Sequence, residues 1–349
     1  MSGVRGEIVL DRRRVETAWW GLAAARAVSA SAVVAGAAAR VPSVMAAEVA
    51  SAHSPSVTLG HDEGKRPARP EDPFPGPRCE NPTAVMVGAG PPSTTCGPEA
   101  GDVVDGGPSA ATTGGDEALT LVFLHEGLGC IDLWRDVPET LSTWTGLPAF
   151  AYSRLGYGQS DPAPLPWPPS YMHDEAALLP RILDAAGITR AILIGHSDGG
   201  SIATIHAATG DPRILALITI AAHFFVEDLN LAAIRAIRDT YATTDLRARL
   251  GRYHRGPDNA FHGWNGAWLN PDFRAFDITD AIARIRAPIL GLQGADDPYG
   301  TEAQLAAITD HARVRAETRL IETARHAPHL EARNETLAAI TGFILDLPT

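Results

Sequence analysis

Short apolar runs alternate with helical patterns from about residue 116 to the end of the chain. The runs at residues 119–124, 149–153, 191–194, 215–221 and 289–293 are almost continuously apolar, as central strands of a parallel sheet are, and residues 320–322 are a further candidate. Helical patterns lie between them at residues 131–143, 171–186, 200–209, 301–312 and 334–345. This alternation predicts a mostly parallel sheet flanked by helices.

One interval between predicted strands is too long for a simple crossover connection. Residues 224–287 carry a helical pattern at 229–250, followed by an aromatic cluster. The cluster consists of Phe261, Trp264, Trp268, Phe273 and Phe276. We predict an inserted subdomain here, whose aromatic side chains form a small core, line a substrate site, or do both.

The first part of the chain has a different composition. From about residue 51 to 115 it is dominated by Pro, Gly, Ala, Thr and acidic residues. Such a segment cannot bury enough apolar surface to offset the entropy lost on ordering. We therefore predict that residues 1–115 are a low-complexity, mostly disordered extension, with a candidate helix over 15–39. Residues 116–349 are the predicted folded domain.

Charge and cysteine content limit the partners of this chain. The formal net charge is -12, and no block of basic residues is present to bind a phosphate backbone, so nucleic acid is excluded as a partner. The apolar run at residues 19–39 follows Arg12–Arg14 as in a signal peptide, but Arg26 interrupts it. We predict a cytoplasmic protein without a membrane partner, and homo-oligomerisation stays open. The cysteines lack the spacing of a metal or disulfide site, and no cofactor or metal is predicted: Cys79, Cys96 and Cys130.

The sharpest chemical signal is the Gly-x-Ser-x-Gly element of residues 195–199, Gly-His-Ser-Asp-Gly. It comes directly after a predicted strand and directly before a predicted helix, which is the context that this motif requires. A serine there sits on a strained turn at the carboxyl end of the sheet, where open α/β sheets bind ligands. We predict that Ser197 is a nucleophile.

A serine hydroxyl needs a base that a carboxylate orients. With this element the acid and then the histidine follow later strands along the chain. Asp297 comes just after the run at 289–293, and His326 precedes the last helical pattern; we predict that they are the acid and the base. The weaker alternatives are Asp296, Glu227 and Asp228 for the acid and His329 for the base.

Acyl transfer also requires N–H donors where negative charge develops. We predict that the amide of Asp198 and the turn at Gly127 supply them. His125 and His196 are expected to stabilise loops through hydrogen bonds. The candidates for the substrate pocket are Glu126, Leu128, His223, Trp264 and Trp268, with Arg154 and His254 as further positions near strand ends or in the insert.

Several motifs occur in the order found in one known family. They are His125-Glu-Gly-Leu-Gly129, Tyr152-Ser-Arg-Leu-Gly-Tyr-Gly-Gln-Ser160, Gly195-His-Ser-Asp-Gly-Gly200, Gln293-Gly-Ala-Asp-Asp297 and His326-Ala-Pro-His-Leu-Glu331. Over about residues 118–347 the chain resembles α/β-hydrolases, in the branch that includes meta-cleavage carbon–carbon hydrolases, lactonases and small esterases. Glu126 departs from the family, since many relatives have Gly there. The family's leading strands are also hard to find before Ala118, where 85–87 and 102–104 are weak substitutes.

The resemblance implies an α/β-hydrolase fold, an eight-stranded scaffold with a helical cap inserted at about residues 224–287. It implies the triad roles for Ser197, Asp297 and His326. The expected activity is hydrolysis of an ester, lactone or related carbonyl compound that is small and rather apolar. Carbon–carbon bond hydrolysis is the alternative within the family, and a non-catalytic ligand-binding protein on the same fold is the alternative outside it.

Overall fold

The structure is a computed structural model that describes residues 3–21 and 118–348. Its strands are β1 (Val4–Leu10), β2 (Arg13–Trp20), β3 (Thr120–Leu124), β4 (Ala149–Tyr152), β5 (Ala191–His196), β6 (Ile214–Ile220), β7 (Ile289–Gly294) and β8 (Ala316–Ile321). Its α-helices are α1 (Val137–Thr145), α2 (Tyr171–Ala185), α3 (Asp198–Ala207), α4 (Asp228–Thr243), α5 (Leu246–Leu250), α6 (Pro257–Trp268), α7 (Thr279–Ile282), α8 (Ala303–His311), α9 (Pro328–Glu331) and α10 (Arg333–Leu345). Short 3₁₀ helices lie at Ile131–Trp134 and Pro271–Ala275.

The described strands form one eight-stranded sheet in the order β1-β2-β4-β3-β5-β6-β7-β8. Strands β3 to β8 are parallel to one another, whereas β1 and β2 form an antiparallel hairpin and β2 joins β4 antiparallel. The prediction of a mostly parallel sheet flanked by helices is confirmed. The carboxyl ends of β5, β6 and β7 therefore meet at one edge of the sheet.

The predicted strands and helices after residue 116 are present, with ends that differ by a few residues. The pattern at 320–322 is the end of a longer strand, Ala316–Ile321. The helical pattern at 131–143 is divided, because Arg135 has a positive φ of 55° between the 3₁₀ turn and α1. The helical pattern at 229–250 is likewise divided, into α4 and α5.

The first residues differ from the prediction of a mostly disordered extension with a helix from Val15. Residues 4–20 are a β-hairpin, whose turn residues Asp11 and Arg12 have positive φ values of 51° and 67°, as a type I′ turn requires. The hairpin supplies the leading strands of the sheet, so this part of the prediction is wrong. The remainder of the predicted extension, including 85–87 and 102–104, lies outside the described residues.

Side-chain contacts hold the hairpin against the loop after β4. The Glu16 carboxylate accepts hydrogen bonds from Ser153 Oγ (2.8 Å) and from the amide of Gln159 (3.1 Å). At the hairpin turn, Asp11 forms a two-pronged ion pair with Arg181 of α2, at 2.7 and 2.9 Å. Residues of the N-terminal hairpin thus orient the β4 loop, which borders the site described below.

Alternate residues of the central strands pack on opposite faces of the sheet. In β3, Val122 and Leu124 belong to the core that includes α2 and the inserted helices, whereas Leu121 and Phe123 belong to the core under α1 and α10. Burial on both faces explains why these strands are continuously apolar in sequence. Between β6 and β7, helices α4 to α7 occupy the predicted insertion. In residues 3–21 and 118–348, no helix has both the length and the apolar character needed to cross a membrane.

Candidate active site

Ser197 lies on the sharp turn between β5 and α3. Its φ of 51° and ψ of -120° are strained values for a residue with a side chain. The turn is tight because it is packed between backbones: a Cβ on Gly195 would collide with the backbone of Gly199, and one on Gly199 would collide with the carbonyls of Leu124 and His125. The Ser197 amide donates to the Ile220 carbonyl at the end of β6 (2.8 Å). These contacts fix the serine at the carboxyl edge of the sheet.

Asp297 and His326 form a hydrogen-bonded pair beyond the ends of β7 and β8. The Nδ1 atom of His326 lies 2.9 Å from both carboxylate oxygens of Asp297. The carboxylate also accepts from Gln293 Nε2 (2.5 Å) and from the Tyr299 amide (2.8 Å). Asp296 is exposed, and its amide donates to the Ala324 carbonyl. The structure therefore brings Asp297 to His326.

The two partners shift each other's protonation in opposite directions. Burial alone would raise the pKa of Asp297, but the charge and hydrogen bond of His326 outweigh burial and lower it. Burial alone would lower the pKa of His326, but Asp297 outweighs it and raises the pKa above its ordinary value. The pair thus favours an ionised carboxylate, and its neutral imidazole carries the proton on Nδ1 and leaves Nε2 as the basic atom.

His196 joins His326 to the serine turn. Its Nε2 atom donates to the His326 carbonyl (2.8 Å), and its Nδ1 atom lies 3.3 Å from the Glu126 carboxylate. Burial would raise the pKa of Glu126, but the hydrogen bond and charge of His196 outweigh it and lower the pKa. The Glu126 side chain, a predicted pocket residue, thus packs over Gly129 and pairs with His196. His326 is held next to the residue that precedes Ser197.

The other candidates for acid and base lie elsewhere. His329 is buried, and its ring lies 4.6 Å from the ring of His196 and 5.0 Å from that of Trp134. Glu227 accepts hydrogen bonds from the backbone and hydroxyl of Thr301. Asp228 is exposed, and its nearest cation is Arg274, at 2.7 Å. Among the described residues, no group of three or more His, Cys, Asp or Glu side chains is arranged to hold a metal ion.

The turn of residues 125–129 lies beside the start of α3. A Cβ on Gly199 would meet the His125 carbonyl at 2.7 Å, so the two backbones are in contact. A Cβ on Gly127 would collide with the Trp264 indole, so only glycine lets this indole approach the turn. As the first residue of α3, Asp198 has an amide N–H with no acceptor within the helix. Both predicted N–H donors therefore lie around the serine turn.

The aromatic cluster of the insert divides into two groups. Phe261 stacks on Tyr241 with ring centroids 3.7 Å apart, and Phe273 stacks on Phe276 at 5.0 Å, so these rings form the core of the insert. Trp264 covers Gly127. Trp268 donates from Nε1 to the Asp198 carboxylate (3.2 Å), and its ring lies 5.2 Å from the ring of His223. Trp268 therefore lies at the serine turn, and Trp264 lies against the neighbouring 125–129 turn.

The remaining predicted pocket residues have backbone partners. His223 donates from Nε2 to the Tyr299 carbonyl (3.0 Å), and its ring centroid lies 5.9 Å from that of His326. Leu128 is buried, and its carbonyl accepts from His254 Nε2 (3.0 Å). The Nδ1 atom of His254 accepts from the Gly158 amide (2.9 Å). His254 thus ties the insert to the 125–129 turn and to the loop after β4.

Some residues near the site gave no clear signal in the sequence. The Tyr299 ring lies 4.7 Å from that of His326, and burial raises the pKa of its hydroxyl to about 12. Burial raises the pKa of Glu175 on α2 to about 7. Arg154 is fully buried and contacts both the 125–129 turn and Asp198. Of these three residues, only Arg154 is among the predicted pocket positions, because it lies directly after a strand.

Comparisons with known proteins agree with this fold. Residues 120–253 match the family model described as alpha/beta hydrolase fold. Over 93 residues the chain is 33% identical to the 2-succinyl-6-hydroxy-2,4-cyclohexadiene-1-carboxylate synthase of Serratia proteamaculans (strain 568), a match that covers 27% of this chain and 34% of that enzyme. It is also 26% identical to the non-heme chloroperoxidase of Streptomyces lividans, over 55% of this chain and 80% of that protein.

A solved structure shows the same architecture at low sequence identity. The chain superposes on the enol-lactonase from Burkholderia xenovorans LB400 with a TM-score of 0.52 and 19% identity, covering 66% of this chain and 92% of that one. At this identity the likeness concerns the fold alone. The family model over residues 120–253 and the order of the strands together show that the chain has the α/β-hydrolase fold.

Proposed function

We propose that this protein is a serine hydrolase that cleaves an ester or lactone through an acyl-enzyme. Ser197 is the nucleophile, His326 the general base, and Asp297 the carboxylate that orients the base. The observation that supports this most directly is the Asp297–His326 pair, held at the strained serine turn by the 2.8 Å bond from His196 to the His326 carbonyl. An arrangement with only structural demands would not require strain at Ser197.

The chemistry proceeds in two halves. Ser197 Oγ attacks the substrate carbonyl carbon while His326 Nε2 takes the hydroxyl proton, and Asp297 stabilises the imidazolium that forms. The carbonyl oxygen gains negative charge, and the amides of Gly127 and Asp198 donate to it. His326 then gives its proton to the departing alkoxide. Water attacks the acyl-enzyme by the same route and regenerates the free serine.

The insert sets the substrate class. Trp264 and Trp268 present aromatic surface next to the serine turn, and Trp264 packs directly on Gly127. Large aromatic side chains bind apolar groups without a charged partner. The substrate is therefore a small, rather apolar carbonyl compound, with its scissile carbonyl at Ser197 and its apolar part under the insert.

The test is a panel of p-nitrophenyl esters of increasing acyl length, simple lactones and a vinylogous dienol diketone. Wild type and Ser197→Ala are assayed together, with Ser142→Ala, a buried serine on α1, as the matched control. We expect turnover of an ester or lactone that Ser197→Ala loses by about 10⁴-fold to 10⁶-fold and Ser142→Ala retains. Full turnover by Ser197→Ala refutes the proposal, and turnover of the dienol diketone alone would assign carbon–carbon hydrolysis instead.

A further inference from the structure

The carbonyl of Glu126 accepts three hydrogen bonds at once. Gly129 donates from its amide (3.0 Å), His125 from Nδ1 (2.8 Å), and Arg154 from Nη2 (3.0 Å). A carbonyl oxygen has two lone pairs, so this acceptor is fully used. The side chains of His125 and Arg154 are both buried, at 0% and 2% exposure for the residues.

This carbonyl belongs to the peptide bond that carries the Gly127 amide. A trans peptide is planar, and its N–H points opposite to its C=O. Three donors on one side of the peptide therefore fix the direction of the Gly127 N–H on the other side. Reversing this peptide would break all three hydrogen bonds and leave buried donors without an acceptor.

The His125 ring can donate a hydrogen bond from only one of its two nitrogen atoms. Burial, together with the nearby Arg154 charge, holds the pKa of His125 well below its ordinary value, so the ring is neutral. Its Nε2 atom accepts from the Arg154 amide (3.1 Å), so the single ring proton is on Nδ1, facing the Glu126 carbonyl. The backbone of Arg154 thus sets the tautomer with which His125 holds the turn.

Arg154 also reaches the second proposed N–H donor. Its Nη2 atom lies 4.0 Å from the carboxylate of Asp198, the residue whose amide follows the nucleophile. That carboxylate accepts from Tyr171 (2.7 Å) and Trp268 (3.2 Å) as well. One buried cation therefore lies between the two segments that would stabilise an oxyanion.

We infer that Arg154 and His125 are positioning residues that lock the Glu126–Gly127 peptide so that the Gly127 N–H faces the developing oxyanion. This inference rests on the proposed function. Among the described residues, Arg154 Nε and Nη1 have no hydrogen-bond acceptor, and the guanidinium lies 4.9 Å from the centroid of the Tyr157 ring. The hydrogen bond that its guanidinium does form is directed at the Glu126 carbonyl.

The experiment compares Arg154→Met, Arg154→Lys and His125→Phe with wild type. The phenylalanine retains the edge-on packing of His125 on Tyr157, at 4.9 Å between ring centroids, and removes the donor. Arg255→Gln is the control, because Arg255 binds the Ser160 carbonyl and Asp161 in the adjacent loop. Folding of each variant is checked by circular dichroism and thermal unfolding.

Two quantities are measured for each variant. The first is the pair kcat and KM for p-nitrophenyl butyrate. The second is the inhibition constant of a trifluoromethyl alkyl ketone, whose carbonyl carbon bonds to Ser197 Oγ while the hydroxyl proton passes to His326 and the ketone oxygen becomes an alkoxide. Binding of this ketone reports oxyanion stabilisation, and a merely structural defect would not change it in proportion to kcat.

We expect kcat to fall by about 10²-fold to 10³-fold in Arg154→Met, as for loss of one oxyanion donor. KM should stay within about threefold, and the ketone's inhibition constant should rise by the same factor as kcat falls. His125→Phe should show the same pattern, Arg154→Lys should recover part of kcat, and Arg255→Gln should match wild type. Arg154→Met and His125→Phe each remove a hydrogen-bond donor from the Glu126 carbonyl. The inference can therefore be tested even if only one of these two variants folds.

The inference is overturned if either folded variant retains kcat within about threefold of wild type. It is equally overturned if kcat falls while the ketone binds unchanged, or if KM alone rises. Ser197→Ala, assayed in parallel, separates this result from failure of the proposed function: an active Ser197→Ala would remove both, whereas an inactive Ser197→Ala with normal positioning variants would remove only this inference.

Discussion

Replacing Asp297 by asparagine changes one atom at the acid position and should nearly abolish turnover. The carboxylate accepts from the Tyr299 amide, from Gln293 and from His326 Nδ1. The Tyr299 amide can only donate, so the oxygen of the new side chain stays with it. The amide nitrogen then replaces Oδ2, which lies next to Gln293 and 2.9 Å from His326 Nδ1, so it competes there with the retained oxygen, while the Gln293 amide can turn to offer its own oxygen.

The new amide group then favours the wrong tautomer of His326. An amide nitrogen donates, so it stabilises an imidazole with Nδ1 unprotonated and the proton on Nε2. In the proposed mechanism, Nε2 is the atom that takes the proton of Ser197. We expect kcat to fall about 10⁴-fold, the usual size of this defect, which corresponds to about 5 kcal/mol in the activation free energy.

The assay is hydrolysis of the preferred p-nitrophenyl ester by Asp297→Asn and by Asp296→Asn. Asp296 is the neighbouring residue, carries the same charge and is exposed, so its substitution controls for a change of net charge beside the site. We expect Asp296→Asn to remain within about threefold of wild type. Comparable losses in both variants, or a folded Asp297→Asn with nearly normal kcat, would refute the reasoning.

Further predictions concern pH, the 125–129 turn and the hairpin. Because Asp297 raises the pKa of His326, kcat/KM should fall on acidification with a midpoint above about 6.5; a lower midpoint in the pH profile contradicts this. Gly127→Ala should lower kcat at least about tenfold, since its Cβ meets the Trp264 indole, while Gly266→Ala, with open space around it, should not; equal rates would argue against that contact. Glu16→Gln should reduce the free energy of unfolding in urea by about 1–2 kcal/mol by weakening its bonds to the β4 loop, and unchanged unfolding would show that these bonds are dispensable.

The sequence predicts strands β3 to β7 well because each is buried on both faces, whereas β8 is only partly buried and its pattern shows only the end of the strand. A run such as residues 191–194 has no polar face, so its apolar composition alone indicates a central strand. The hairpin of residues 4–20 is different, since Arg12–Arg14 ahead of an Ala-rich run is also typical of leader peptides. Its turn uses Asp11 and Arg12 in place of the glycine that would have marked it.

The candidate site also contains residues that the sequence predicts and contacts that it does not. The Gly-x-Ser-x-Gly element indicates Ser197, and the order of the later strands indicates Asp297 and His326. Each of these residues follows a strand that the sequence pattern predicts. The choice of Asp297 over Asp296 depends on burial, which adjacent acidic residues do not reveal. The bonds of Arg154 and His125 to the Glu126 carbonyl join segments distant in sequence, and no local pattern predicts them.

Covalent labelling with a fluorophosphonate, followed by peptide mass spectrometry, tests the role of Ser197 most directly. We expect one adduct on the peptide that contains Ser197, formed in step with the loss of esterase activity. No adduct should form on Ser197→Ala, and labelling of wild type should slow below the pKa of His326, when the base is protonated. A label on another residue that accounts for the lost activity, or esterase activity that survives complete labelling of Ser197, would contradict the assignment of the nucleophile.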